Sequence, residues 1–170
     1  MRSPIVIRKA NEADVPGLAR VYLDSVTTAY DGMASPEYVA SRNLEDCLEQ
    51  WTRNLRDESA SVLVAESQKG IEGLASFGEA RDEDGQPGLH GEIQTIYVSP
   101  SRWGQGIGQR LCSAAMDQLY AEGADSILLW VLERNGRARS FYERAGFVAD
   151  GKTMTVRMGW ELAAVRYRHP

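Results

Sequence analysis

The sequence predicts an α/β (α+β) fold in which helices cover a mixed sheet. Three observations carry this. Strand-type and helix-type segments occur in the order β-α-α-β-β-β-α-β-α-β-β. Three consecutive strand-type segments suit antiparallel pairing, and the strand-helix-strand units after them need parallel crossovers. A chain of 170 residues is long enough to bury a real core, so the expectation is one domain spanning 1–170.

Ile5-Val6-Ile7 reads as the first strand. Leu18, Val21, Tyr22, Ser25 and Val26 then recur at helical spacing, with Asn11 or Asp14 as cap and Pro16 in the first turn. Residues Thr28 to Met33 break that pattern, and a second helix is predicted from Pro36 to Leu55. Its aromatics, Tyr38 and Trp51, are read as core. Ser61–Glu66 and Ile71–Phe77 form a hairpin about Gln68-Lys69-Gly70, and Arg81–Gly88 is a polar loop. In the next strand, Glu92–Val98, strict alternation puts Glu92 on one face with Gln94, Ile96 and Val98. Leu111, Ala115 and Leu119 line a helix from Gly108 to Glu122. Ile127–Leu132 is a continuous apolar run, typical of a strand buried on both faces. A short helix, Asn135–Ala145, stops at Gly146. Phe147-Val148, Thr153–Met158 and Leu162–Tyr167 close the chain as strands.

Composition excludes several classes. A net charge of −5 argues against a general nucleic-acid binder. Cys47 and Cys112 lie far apart, with no histidines at ligand spacing, so neither a metal site nor a disulfide is expected. The first residues carry charge at both ends of a very short apolar run, unlike a signal peptide, and no run approaches the roughly 20 apolar residues of a membrane span. The expectation is a cytoplasmic protein without a membrane partner.

Between the strand ending at Val98 and the following helix lies Arg102-Trp103-Gly104-Gln105-Gly106-Ile107-Gly108. Glycines at alternate positions let backbone amides converge at a helix N-terminus, where unpaired N–H donors and the helix dipole favour a phosphate. The spacing fits neither a dinucleotide GxGxxG fingerprint nor a GxxxxGK(S/T) P-loop. By itself it is equally a glycine-rich connection with no ligand.

Asn135-x-x-Ala138-x-x-Phe141-Tyr142-x-x-x-Gly146-Phe147 follows the buried strand directly. Together with Glu92–Val98 and the glycine turn, this segment resembles the GNAT family of N-acetyltransferases. Ser25-x-x-x-Ala29-Tyr30-x-Gly32, Pro36-x-Tyr38, Trp51, Val62–Glu66, Gly73–Gly78 and Val165-Arg166-Tyr167 extend the resemblance over nearly the whole chain. It implies the GNAT fold, a mostly antiparallel sheet with two parallel strands splayed around a cofactor. It implies acetyl-CoA as co-substrate and no metal. The pyrophosphate would sit on Trp103, Gly104, Gln105, Gly106, Ile107 and Gly108. Ile96, Tyr97 and Val98 would offer backbone to the pantetheine arm, and one of their amides would polarise the thioester carbonyl.

Acetyl transfer to an amine needs a neutral nucleophile, an oxyanion donor and a proton for the departing thiolate. Tyr142 matches the family's proton donor, and a phenol with a pKa near 10 stays protonated at neutral pH. Asn135 matches a cofactor contact, and it also suits a helix N-cap. Glu92 matches a carboxylate that deprotonates the amine through water; His90 or bulk water could replace it. Tyr30, Asp31 and Met33 fall in the loop that walls the acceptor site in the family. Arg137, Arg139 and Arg144 read as a solvated helix face, and Cys112 on its helix face is not a nucleophile. One position departs from the family pattern: Trp103 stands where Arg or Gln is usual, with Arg102 displaced by one, which puts a phosphate contact by Arg102 in doubt. The implied partner is a small-molecule or peptide amine, and the family's habit of dimerising raises a homodimer. Two other readings stand beside this one, a non-catalytic acyl-CoA-binding regulatory module and an acyltransferase acting on protein N-termini.

Overall fold

The computed structural model describes residues 4–81 and 89–170. Most of the predicted loop Arg81–Gly88 therefore lies outside the described residues. The strands are β1 (Val6–Lys9), β2 (Ala60–Ser67), β3 (Gly70–Glu79), β4 (His90–Val98), β5 (Ser126–Leu132), β6 (Val148–Met158) and β7 (Trp160–His169). The helices are α1 (Val15–Ala29), α2 (Pro36–Ala40), α3 (Leu44–Arg56), α4 (Ile107–Ala121) and α5 (Gly136–Arg144). Among the described residues the strands form one sheet in the order β1-β2-β3-β4-β5-β7-β6, and β4·β5 is its parallel pair. This is the mixed, mostly antiparallel sheet expected.

Period-two alternation divides the core. Val62, Val64 and Leu74 face α1 and α3, packing on Leu18, Val21, Cys47 and Trp51. Leu63, Ala65, Ala75, Phe77 and Ile93 face the other way, onto Leu111, Cys112, Ala115 and Leu119 of α4. The apolar run of β5 is buried on both faces, with Leu128 and Leu129 each 1% exposed.

Four expectations need correction. The helix predicted over Pro36–Leu55 is two helices, broken at Ser41-Arg42-Asn43. The Asn43 side chain accepts a hydrogen bond from the Asp46 amide at 2.9 Å and starts α3 as its cap. Trp51 is core, but Tyr38 is only half-buried, with the Arg42 guanidinium over its ring at 4.4 Å. At the other end of the sheet, Phe147 lies in the core ahead of β6, and β6 runs unbroken as one strand. Its pairing with β7 shifts between Ala149 and Thr153, so Asp150 to Lys152 form an irregularity within the strand.

The fourth correction bears on the site. The pairing of β3 with β4 shifts between Ser76 and Phe77: Ser76 lies opposite Thr95 and Phe77 opposite Ile93, leaving Gln94 as an extra residue in β4. A bulge reverses alternation. Ile93 and Ile96 both pack toward α4, whereas Tyr97 packs toward α1. Glu92 therefore shares its face with Thr95 and Tyr97, not with Ile96 and Val98.

Candidate active site

The parallel pairing of β4 with β5 holds only for His90↔Ser126, Gly91↔Ile127 and Glu92↔Leu128. Beyond Glu92 the two strands diverge, and the backbone edge of β4 toward β5 has no strand partner. A cavity of about 970 Å³ fills this gap. Ile96, Tyr97 and Val98 line one side, and Asn135, Phe141 and Tyr142 line the other. The glycine turn closes one end, and Tyr30 and Met33 stand at the other.

The turn is built for backbone exposure. Gly104 has φ +73° and Gly106 φ +80°, left-handed values at which a side chain would be strained. Gly106 is the N-cap of α4, and no side chain caps that helix, whereas Ser35, Asn43 and Asn135 cap α2, α3 and α5. The first helical bond runs from the Arg110 amide to the Gly106 carbonyl at 3.1 Å. The amides of Ile107, Gly108 and Gln109 precede it, at the positive end of the helix dipole. Gly108 faces the Phe141 ring of α5, where a Cβ would sit at ordinary contact distance, 3.4 Å. This turn fits a pyrophosphate without any side-chain contribution. Gln105 does not line the cavity, and its amide group bonds back to the Ser101 carbonyl at 3.3 Å.

Trp103, the departure from the family pattern, is a brace. Its indole N–H donates to the Val98 carbonyl at 2.7 Å, and the Arg137 guanidinium stacks 3.5 Å from its ring centroid. The same carbonyl accepts from Ser25 Oγ at 3.1 Å, so the end of β4 is tied both to the turn and to α1. Arg137 is exposed, as expected, and its guanidinium is also stacked on Trp103 at the cavity wall. Arg139 does point out of the site, donating to Tyr167 Oη and to the Glu133 carbonyl, while Arg144 lines the cavity. Arg102 lines it too, its buried Nε 3.9 Å from Glu72 Oε2 and without a hydrogen-bond partner among the described residues.

Tyr142 is placed by α5 and by Phe141 and Phe147, whose rings pack edge-on at 5.0 and 5.9 Å. Burial pushes its phenol above its ordinary value, and Cys112 and Tyr30 add to the effect. Cys112 itself is buried, and its thiol is pushed up to about 12. Such a thiol is protonated and unreactive at neutral pH. The Asn135 side chain accepts from the Ala138 amide at 3.1 Å, so it caps α5 while also lining the cavity.

At the far end the Tyr30 and Tyr97 hydroxyls are 3.2 Å apart, in hydrogen-bond contact. Burial raises both phenols, Tyr97 most. Glu92 is outside the cavity wall. Arg81 engages its carboxylate, Nε at 3.0 Å and Nη2 at 2.7 Å, and the Arg81 amide donates to it at 3.2 Å. Asp31 is exposed beside a separate shallow depression lined by Pro36 and Trp160. His90 accompanies neither group: its Nδ1 lies 2.8 Å from Ser126 Oγ.

The sequence reading missed the outer wall. Trp130, Met154, Val156, Met158 and Ala164 line the cavity from β5, β6 and β7. No motif marks them, and only their alternation along β5 and β6 could have placed them on one face. The tip of the β6–β7 hairpin is docked on the loop after α1. The Ser35 amide donates to the Met158 carbonyl at 3.0 Å, and Gly159, at φ +76°, packs directly against Ser35.

A splayed parallel pair, an uncapped glycine turn and a half-buried tyrosine thus meet around one cavity. The chain belongs to the acetyltransferase (GNAT) family, whose model matches residues 23–147. It is 34% identical to the uncharacterized N-acetyltransferase YuaI of Bacillus subtilis over 77% of this chain and 73% of that one. It is 28% identical to an L-methionine sulfoximine/L-methionine sulfone acetyltransferase of Pseudomonas aeruginosa, over 86% of this chain and 81% of the relative. Among solved structures, the PaiA N-acetyltransferase of Thermoplasma acidophilum in complex with coenzyme A superposes with a TM-score of 0.76 at 22% identity, over 98% of each chain. The protein is an acetyl-CoA-dependent N-acetyltransferase. Among the described residues no cluster of metal-ligating side chains occurs, and no helix is long and apolar enough to cross a membrane.

Proposed function

We propose that the protein transfers the acetyl group of acetyl-CoA to the primary amine of a small molecule by direct attack, with Tyr142 as the general acid. The observation that carries this is the position of Tyr142 in the cavity wall across from Ile96–Val98, with no hydrogen-bond partner for its hydroxyl among the described residues. Bound acetyl-CoA supplies an activated acetyl group as a thioester. The uncapped amides at the start of α4 hold its phosphate end, and the free edge of β4 offers backbone donors and acceptors along its length. An amide of β4 near Ile96 to Val98 faces the gap and is placed to donate to an oxygen that gains negative charge.

A phenol held above its ordinary pKa keeps its proton at neutral pH; it hydrogen-bonds the departing sulfur as the C–S bond breaks, and the proton it gives up is replaced from the one the amine releases. The amine loses its proton to water. Glu92 lies on the face of Thr95 and Tyr97 and would act as a base only through intervening water, since Arg81 occupies its carboxylate. The methionine sulfoximine and sulfone relative supports a small-molecule acceptor.

The test is Tyr142→Phe, followed by thiol release and by acetyl-CoA titration. A general acid contributes about 10²-fold or more. The expected result is a kcat lowered to that extent with acetyl-CoA affinity retained. Unchanged kcat removes Tyr142 from the mechanism.

A further inference from the structure

The two ends of the cavity differ in chemistry. The turn end carries Arg102 and the Arg137 guanidinium stacked on Trp103. Every charged residue among the described lining residues is an arginine: Arg102, Arg134, Arg137 and Arg144. The acceptor end is apolar and soft. Leu132, Leu162 and Ala164 form a buried cluster, and Tyr30, Trp130, Val156 and Met158 pack on it while remaining partly open. Met154 extends this wall along β6 and is 41% exposed. Among the described residues the polar groups that reach this end are neutral, namely the Tyr30–Tyr97 hydroxyl pair, Thr28, Gln94 and Thr95.

From this contrast, and resting on the acetyl-transfer reading above, we infer that the acceptor is a primary monoamine carrying an aromatic or bulky apolar group, seated on Trp130, Met154 and Met158. Polyamines and other polycations are discriminated against. Hydroxyl oxygens can orient a neutral amine by accepting its N–H, but they do not neutralise further ammonium groups. An ammonium taken from water without an anionic partner is strongly disfavoured. Trp130 does not reverse this through its ring. The Arg166 guanidinium already lies 5.9 Å from the ring centroid, itself ion-paired to Asp150 at 2.6 Å, and a second cation there meets like charge. Methionines, by contrast, adapt to irregular apolar shapes and contact aromatic edges favourably. Met154 is thus a specificity-determining residue. It lies on an exposed strand, where a polar replacement leaves the core intact.

The experiment measures kcat/KM by thiol release, at saturating acetyl-CoA, for 2-phenylethylamine, 3-methylbutylamine, spermidine, kanamycin and an N-terminal peptide. Each is tested with the unmodified protein and with Met154→Glu, and acetyl-CoA affinity is followed by calorimetry. The two apolar monoamines are expected to exceed spermidine and kanamycin by tenfold or more. Met154→Glu is expected to shrink that ratio at least tenfold, at unchanged acetyl-CoA affinity. Spermidine, kanamycin or the peptide as the best acceptor overturns the inference and leaves acetyl transfer standing, as does a ratio indifferent to Met154→Glu. Acetyl-CoA binding without thiol release for any acceptor overturns both.

Discussion

Trp103 offers the sharpest check on the proposed phosphate grip. Its indole N–H bonds the Val98 carbonyl at 2.7 Å, and its ring carries the Arg137 guanidinium at 3.5 Å. Trp103→Phe removes the hydrogen bond and keeps a ring for the cation. Trp103→Ala removes both. One hydrogen bond contributes about 1 kcal/mol net, and a cation–π contact at a partly open site adds roughly 0.5–1 kcal/mol. If that energy orders the turn for its ligand, Phe weakens acetyl-CoA binding about 5-fold and Ala roughly 10- to 30-fold, at 1.4 kcal/mol per factor of ten. The assay is calorimetric titration of acetyl-CoA, with thermal unfolding in parallel. Ser25 Oγ shares the Val98 carbonyl at 3.1 Å, so Ser25→Ala combined with Trp103→Phe should cost more than the sum of the single changes, because the carbonyl then loses both donors. Equal affinities for the Phe and Ala variants would refute the contribution of Arg137. Lower melting temperatures with unchanged affinity for both would refute the bracing argument altogether.

Other outcomes follow from the same geometry. Gly159→Ala places a methyl group onto Ser35, so the hairpin must lift and the Ser35–Met158 backbone bond is strained or lost. Loss of one such bond raises the acceptor KM about 5-fold while acetyl-CoA affinity holds, measured by steady-state kinetics beside titration. Because burial raises the Tyr142 phenol above its ordinary value, its proton persists into alkaline solution. Thiol release should therefore climb with pH as the amine deprotonates and show no falling limb near pH 10, the ordinary phenol value. A decline centred there would contradict that shift. Asp14 is held below the usual carboxylate range by its bond to Arg8 at 2.7 Å. A depressed carboxylate stabilises the fold above its unfolded pKa of about 3.9 and loses that effect as pH falls through the folded value. Asp14→Asn should thus destabilise by roughly 1–3 kcal/mol at pH 7, and the difference from the unmodified protein should close in denaturant titrations below about pH 4.

How much of the site was legible depended on the range of the interaction involved. The glycine turn was legible because positive φ at Gly104 and Gly106 is a local demand that only certain residues meet without strain. Asn135 was legible as a cap for the same reason, since it bonds the Ala138 amide three residues on. The break before α3 was also local, because Asn43 caps Asp46. There the helical periodicity of Tyr38, Leu44, Leu48 and Trp51 outweighed the cap signal. Glu92 was misplaced on its strand because alternation holds only while pairing is regular, and the bulge at Gln94 is defined by the register of β3.

The sequence by itself determined the order of elements apart from the split second helix and the unbroken β6, the two-faced strands, the buried β5 and the glycine turn. These rest on backbone conformations and on periodicities within one segment. Tertiary structure alone decided the end of the cavity opposite the glycine turn. The Tyr30–Tyr97 contact joins residues 67 apart in the chain, and the Ser35–Met158 bond joins a helical loop to a distant hairpin. It also decided the role of Trp103, whose indole closes onto the Val98 carbonyl only because the turn folds back on β4. Such contacts carry no signature in spacing, because a side chain's partner there is chosen by the path of the whole sheet and not by its neighbours in sequence.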